Sequence, residues 1–332
     1  MQNENTTEQF PSIIRSIEMK DQQSNIYRQQ LNDSIDRRTF IKTVVGAAAV
    51  AGTYRAGISA GAEEPAPKRK KAVLKLGSQD GRIPGGSLQE KVAKLEKWDG
   101  VGLEVGGGGL AGRVKSIKEA IKGTSVKISA ICAGYSGAPI SHDPAEREKA
   151  VKTIKEILAA AGELESTGLI VVPAFNNQTT LGNKEGRKIL VDMLPDLGEH
   201  AVKCGTRVLL EPLNRGEAFF LRQLADAAAI CRDVNHPGVC LMGDFYHMNI
   251  EETSDCGAFL SAGKYLHHVH LASAKRNLPG QDEKSFVDGF RGLKMIGYQD
   301  YCSLECGCKG DPEVEIPKSF RFLEKQWEQA TV

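Results

Sequence analysis

Four polar side chains stand at the ends of short, mostly apolar runs in the C-terminal part of the 332-residue chain. Glu211 follows Leu209-Leu210, Asp244 follows Met242-Gly243, His270 closes His268-Val269-His270, and Glu305 follows Ser303-Leu304. A carboxylate placed after apolar residues is costly to bury unless it is paired or bound to a cation. Three carboxylates and one imidazole make a hard, oxygen-rich set, better suited to Mn2+, Mg2+ or Co2+ than to a structural zinc. A rim of surface ion pairs is the simpler alternative, and the apolar residues before the four groups weigh against it. Each loop that follows carries more polar chemistry: Glu217 after Glu211, His247 after Asp244 and Arg276 after His270. Loops after buried runs are where substrate contacts arise, although each of these residues alone could be a solvated loop charge.

The elements that would bring these residues together repeat along the chain. Apolar runs bounded by Gly or polar residues occur at 73–76, 101–105, 126–132, 169–173, 208–210, 239–242, 266–271 and 302–304. They are short, and most are rich in Val, Ile or Leu, as strands covered on both faces are. Stretches with helical spacing lie between them, at 88–98, 144–164, 187–204, 221–234, 286–296 and 316–327. Asp143 is placed to cap the second, with Pro144 at its first position. Gly123, Gly205 and Gly297 stand where helices end. Eight such alternations predict an α/β fold, a single (β/α)8 TIM barrel, with a doubly wound open sheet as the rival. In a barrel the active site forms at the C-terminal strand ends, which is where Glu211, Asp244, His270 and Glu305 fall. Glu104, at the end of the second run, is expected either to line that mouth and touch substrate or to be an ordinary rim charge. The glycines Gly106 to Gly109 lack the spacing of a phosphate-binding loop.

The stretches Glu211-Pro212-Leu213-Asn214-Arg215-Gly216-Glu217, Gly243-Asp244-Phe245-Tyr246-His247-Met248-Asn249-Ile250-Glu251-Glu252 and His268-Val269-His270 resemble the xylose isomerase-like barrel superfamily. The nearest likeness is to its ketose 3-epimerase and hydroxypyruvate isomerase branch. The resemblance spans the region from Val73 to about Trp327. It implies a divalent metal, Mn2+ foremost, held by Glu211, Asp244, His270 and Glu305. It implies that Glu211 and Glu305 also flank the substrate as an acid/base pair, and that Glu217, His247 and Arg276 hold sugar hydroxyls. The implied chemistry is proton transfer beside the carbonyl of a ketose or related keto sugar, through an enediolate. The first-half loops, Gly77 to Gly86 and Gly106 to Gly109, depart from the pattern, so the identity of the sugar stays open. The same start of reaction would serve a dehydratase of the inosose or 3-dehydroshikimate kind, and a non-catalytic sugar-binding barrel would keep the pocket.

The totals exclude other classes. Net charge is +1, from 43 Lys+Arg against 42 Asp+Glu, which gives no electrostatic reason to expect nucleic acid as partner. The eight cysteines form no paired C-x-x-C knuckles. Cys132, Cys240 and Cys302 fall inside strand-like runs and read as buried thiols, while Cys306 and Cys308 lie near the candidate site, with a redox or ligand role open. Residues 1–62 read as a polar n-region followed by a twin-arginine export signal. Asp36-Arg37-Arg38-Thr39-Phe40-Ile41-Lys42 precedes an Ala/Gly-rich apolar run and the small residues Ala60-Gly61-Ala62. That run is too short and small-sided for a stable membrane span, which needs about 20 apolar residues. Residues 63–72 read as a linker and 73–332 as the barrel. The expected partners are therefore a small-molecule sugar and the twin-arginine export machinery, with a periplasmic destination; a homo-oligomer is left open.

Overall fold

The apolar runs become eight short parallel strands: β1 Lys75–Gln79, β2 Gly102–Gly106, β3 Lys127–Cys132, β4 Leu169–Val171, β5 Val208–Leu210, β6 Val239–Asp244, β7 Leu266–Leu271 and β8 Tyr301–Leu304. In this computed structural model, which describes residues 70–332, they pair in chain order and close, β8 on β1, into one barrel. The expected export signal and most of the linker, residues 1–69, lie outside the described residues.

Nine α-helices are found among the described residues: α1 Leu88–Lys97, α2 Leu110–Ile121, α3 Pro144–Glu163, α4 Asn183–Cys204, α5 Leu224–Val234, α6 Phe245–Glu251, α7 Asp255–Ala262, α8 Val287–Ile296 and α9 Pro312–Gln329. Local chemistry starts and stops them. Ser87, Asp143, Ser254 and Asp311 each accept a backbone N–H at a helix start. Gly205 and Gly297 end α4 and α8 at φ 79° and 70°, a left-handed conformation that glycine adopts without steric cost. No described helix is long and apolar enough to cross a membrane.

The differences from expectation have local causes. Helix α4 begins at Asn183 and α9 at Pro312, both earlier than the apolar spacing suggested, because their first turns are polar; Asp311 caps α9, whereas Gly182 gives α4 no side-chain cap. The connection after β6 is two helices, α6 and α7, broken at Glu252-Thr253-Ser254, where Ser254 caps the second. Strand β1 runs on to Gln79, past the apolar residues, since barrel pairing carries it to Glu104 of β2.

Alternation along each strand separates two cores. Val208, Leu210, Val239, Leu241, Leu266, Val269, Leu271, Cys302 and Leu304 pack outward into the layer shared with the helices. Ala130, Ile170, Leu209, Cys240 and Met242 form a separate cluster inside the barrel. Two residues beyond Leu209 on the same face stands Glu211, and two beyond Met242 stands Asp244. The apolar interior is thus the floor of the polar mouth.

Candidate active site

Packing outside the barrel fixes Asp244. The next residue, Phe245, is fully buried among Phe259, Phe286 and Phe290, with ring centroids 5.4, 4.8 and 6.0 Å away. Burying a ring of this size contributes roughly 1.5–3 kcal/mol, enough to pin the strand end. Asp244 then divides its carboxylate. Oδ1 accepts the Tyr246 N–H at 2.7 Å and caps α6, while Oδ2 is buried with no hydrogen-bond partner.

His270 is Asp244's register partner on β7. Its Nε2 meets Glu104 Oε2 at 2.9 Å, and its Nδ1 is buried without a hydrogen-bond partner. A carboxylate on Nε2 calls for the proton there, which leaves the Nδ1 lone pair free. Nδ1 lies 3.7 Å from Glu211 Oε1, 3.9 Å from Asp244 Oδ2 and 3.1 Å from Glu305 Oε2. One atom from each of the four residues falls within 4.8 Å of all the others. Two ligands of one small cation, each at about 2.1 Å, lie at most about 4.2 Å apart, and the three distances from Nδ1 are inside that limit. The structure therefore brings together the four residues expected to share a cation, and two orphaned atoms, Asp244 Oδ2 and His270 Nδ1, face the shared space.

The charges show the same need. Burial pushes Asp244 well above the usual carboxylate range, and its anionic neighbours Glu305 and Glu211 add to the shift. Burial also raises Glu211. Burial works against ionised Glu305 too, but the His270 and Arg276 charges outweigh it and hold that carboxyl well below the usual range. Burial disfavours a charged His270, yet Glu104 and Glu305 raise it well above the ordinary imidazole value. With only protons available, this cluster binds protons; a divalent cation would supply the same positive charge to all three carboxylates at once.

Glu104 differs from expectation. It does not reach the mouth: it is fully buried, with Oε2 also 2.7 Å from His268 Nε2. Burial opposes its charge, but His270 and His268 overcome this and hold it at about 2. Its place is beneath His270, as a support, because alternation on β2 turns it into the barrel interior. Gln79 carries no sequence motif, yet it belongs to the site. Its Nε2 donates to Glu104 Oε1 at 2.8 Å and to Glu305 Oε1 at 2.9 Å, tying the two carboxylates together. The available signal was its position, at the end of β1 as the ligands end their strands.

The loop residues also converge. His247 Nδ1 accepts from the Asn214 backbone N–H at 3.1 Å and lies 2.8 Å from Asn214 Nδ2, so the proton belongs on Nε2. That Nε2 is buried, has no hydrogen-bond partner and lies 3.6 Å from Asp244 Oδ2. Burial, helped by the Arg276 charge, lowers His247 to about 3, making it a neutral N–H donor at pH 7. Arg276 donates to Glu305 Oε2 at 2.9 Å and to Glu217 Oε1 at 3.3 Å, and its guanidinium lies 4.8 Å from the Tyr246 ring centroid. Its backbone φ of 54° is one that non-glycine residues rarely adopt, costing on the order of 1 kcal/mol. Asn214 Nδ2 also donates to Glu217 Oε1 at 2.9 Å. All eight thiols are free, and neither Cys306 nor Cys308 belongs to the ligand cluster; burial pushes Cys306 up to about 12.

Comparison with known proteins places the fold. Residues 94–326 match the family profile described as a xylose isomerase-like TIM barrel. The sequence is 32% identical over 240 residues to the 3-dehydro-D-guloside 4-epimerase of Escherichia coli strain K12, covering 70% of this chain and 92% of that one. It is 32% identical over 126 residues to the D-psicose 3-epimerase of Ruminiclostridium cellulolyticum, 38% of this chain and 43% of that one. The solved apo structure of 3-keto-D-glucoside 4-epimerase from E. coli matches with a TM-score of 0.71 at 30% identity, over 76% of this chain and 100% of that one. A structure of L-ribulose 3-epimerase, at 20% identity and a TM-score of 0.68 over 78% of this chain and 96% of that one, shares the fold.

Proposed function

Because the chain belongs to the xylose isomerase-like TIM-barrel family, we propose that it is a divalent-metal-dependent sugar epimerase that inverts a carbon beside the carbonyl of a keto sugar. The observation that carries this reading is the convergence of Glu211, Asp244, His270 and Glu305, with Asp244 Oδ2 and His270 Nδ1 buried and unpartnered. A divalent ion held there, Mn2+ foremost, would act as a Lewis acid, stabilising negative charge on a substrate oxygen as the neighbouring proton leaves.

The protein's own groups do the rest. Glu211 and Glu305 come from strands three apart around the barrel, so they approach a bound carbon from different sides. One takes the proton to give an enediolate, and the other returns a proton to the opposite face, which inverts the centre. The His247 Nε2–H donor and the Arg276 guanidinium hold substrate oxygens without having to reorganise. Glu217, fixed by Asn214 and Arg276, accepts from a hydroxyl. The nearly full-length likeness to a 3-dehydro-D-guloside 4-epimerase favours a glycoside bearing a ring ketone over a free ketose.

The test is incubation in heavy water with Mn2+ and a panel of 3-keto glycosides, free ketoses and inososes. The expected result is deuterium at one carbon next to the carbonyl of an epimerised product that retains the elements of water. Product lacking water would make the chain a dehydratase. A manganese-loaded protein that exchanges no substrate proton would overturn the enzymatic reading. The proposal extends to export: changing Arg37→Lys together with Arg38→Lys should retain the protein in the cytoplasm, and unchanged fractionation would rule the signal out.

A further inference from the structure

One polar strand end at the mouth has a hydrogen-bonding group that the epimerase reading leaves unused. Gln79 closes β1 and is the register partner of Glu104 on β2. Its amide nitrogen donates to Glu104 Oε1 at 2.8 Å and to Glu305 Oε1 at 2.9 Å, and lies 3.7 Å from the Cys132 sulfur. An ionised carboxylate only accepts, so the amide has a single orientation: turned over, it would set its oxygen against two others. Both N–H groups are thereby spent.

The amide oxygen, Oε1, is what remains. The buried side-chain atoms left without a hydrogen bond among the described residues are Arg113 Nε, Asp244 Oδ2, His247 Nε2, His268 Nδ1 and His270 Nδ1. Gln79 Oε1 is not one of them, although no described residue donates to it. In this half-buried residue the oxygen therefore reaches the open space of the mouth.

Building on the epimerase reading, we propose that Gln79 is a specificity-determining residue whose Oε1 accepts a hydroxyl of the bound keto sugar.

The neighbours make this amide a rigid acceptor. Glu104 cannot swing away, because His268 and His270 hold its Oε2 at 2.7 and 2.9 Å. Both rings reach it because β7 carries an extra residue. The β6–β7 ladder passes from Leu241↔Leu266 to Met242↔His268, and His267 between them has no register partner. Such bulges re-aim side chains. Glu305 is held in turn by Arg276, which donates to Oε2 while Gln79 takes Oε1. Gln79 and Arg276 thus bracket Glu305, one on each oxygen. An acceptor fixed in advance loses little freedom when a ligand arrives.

Position selects the part of the sugar that it meets. Glu217, His247 and Arg276 all follow β5, β6 or β7. The strand ends of the other half offer a sugar little else. Glu104 is fully buried, and β4 ends in Val171. The Tyr135 hydroxyl donates to the Val172 carbonyl at 2.7 Å and accepts the Val172 N–H at 3.1 Å. Gln79 Oε1 is then the acceptor for the side of the sugar turned away from the β5–β7 loops. It carries no proton, so it selects a hydroxyl over an ether oxygen or a C–H. The substrate it fits is a keto sugar with a free hydroxyl flanking the carbon that Glu305 serves. A sugar deoxygenated at that place would cover the amide oxygen without pairing it.

The test pairs substrate with residue. Manganese-loaded wild type, Gln79→Lys and Gln79→Leu are given methyl 3-dehydro-D-glucopyranoside and its 2-, 4- and 6-deoxy forms in heavy water. Lysine keeps a donor for both carboxylates but cannot accept, and leucine removes both roles. For one deoxy form, wild-type kcat/KM for proton exchange should fall about 10–100-fold relative to the parent sugar. The same comparison in Gln79→Lys should differ by less than about threefold, while the other deoxy forms lose equally in both proteins. A variant that slows all four sugars by one common factor would make Gln79 a support only and overturn the proposal. A crystal of the wild type with Mn2+ and the parent sugar decides without any variant. Gln79 Oε1 should lie within about 3.2 Å of a sugar hydroxyl, and an amide oxygen bonded only to water beside a bound sugar would also overturn it. Exchange without this selectivity sinks the Gln79 contact alone. A sugar seated on Gln79 without exchange sinks the epimerase reading alone, and neither binding nor exchange sinks both.

Discussion

Strand β7 holds a histidine–carboxylate pair at each end, and the two pairs behave differently. At the mouth, Glu104 engages His270 through Nε2 in a fully buried setting, leaving Nδ1 turned toward three carboxylates. At the floor, Asp300 engages His267 through Nδ1 with both side chains about a quarter exposed, and the ring lines a cavity together with Arg207 and Lys264. The same two residue types thus support opposite chemistries. What decides is which ring nitrogen the carboxylate takes and which sign of charge surrounds the other. An excess of buried negative charge at the mouth calls for a cation; at the floor a single carboxylate is matched by the ring it holds.

The sharpest way to test the separation is to disable one end and watch the other. Replacing Glu305→Gln or Glu211→Gln should lower epimerisation by about 10²–10⁴-fold, measured as deuterium incorporation at saturating Mn2+, with the stability that Asp300 lends His267 unchanged. If either variant kept near-wild-type turnover, the acid/base pair would have to be sought elsewhere.

Phe245→Ala removes the packing behind Asp244 and should cost about 3–5 kcal/mol of stability in denaturant unfolding. A loss below about 1 kcal/mol would mean the ring cluster does not brace the strand end. Glu104→Gln keeps the size but removes the charge that holds His270. Mn2+ affinity by calorimetry should fall about 10–100-fold, and unchanged affinity would reduce Glu104 to packing.

The smallest effect belongs to the floor. His267 is raised from its ordinary 6.5 to about 9, so the stability it lends is fully present below pH 6.5 and disappears as pH rises through 9. Asp300→Asn should therefore be less stable than wild type by about 1–2 kcal/mol at pH 6, a figure reduced for the pair's partial exposure. The gap should close by about pH 10. A gap that did not change with pH would assign Asp300 a packing role, and altered Mn2+ affinity would mean that the two ends communicate.

Much of this was legible in the sequence. The eight strand runs were visible because strands covered on both faces must be apolar, and Glu211, Asp244, His270 and Glu305 stood out as polar interruptions at their ends. Residues whose role depends on a distant strand were not. Glu104 read as a substrate contact at the mouth or an ordinary rim charge because its partners, His268 and His270, lie more than 160 positions away across the barrel. Gln79 read as loop because nothing local shows that β1 continues to it. Helix α2 went without bounds because it opens on glycine, and Gly109 gives it no side-chain cap. Neither the parity of β7 nor the meeting of His267 with Asp300 follows from spacing, since both depend on one unpaired residue in the ladder.

That unpaired residue works as a phase shifter. Strict alternation down β7 from His270 would send Leu266 inward and His267 out toward the helices. The additional position lets Leu266 stay in the outer layer while His268 and His270 both face the lumen. Shortening the strand by this single residue would exchange the duties of its lower end without touching a ligand. The upper and lower halves of β7 can therefore be rewritten independently, as two short words separated by a space.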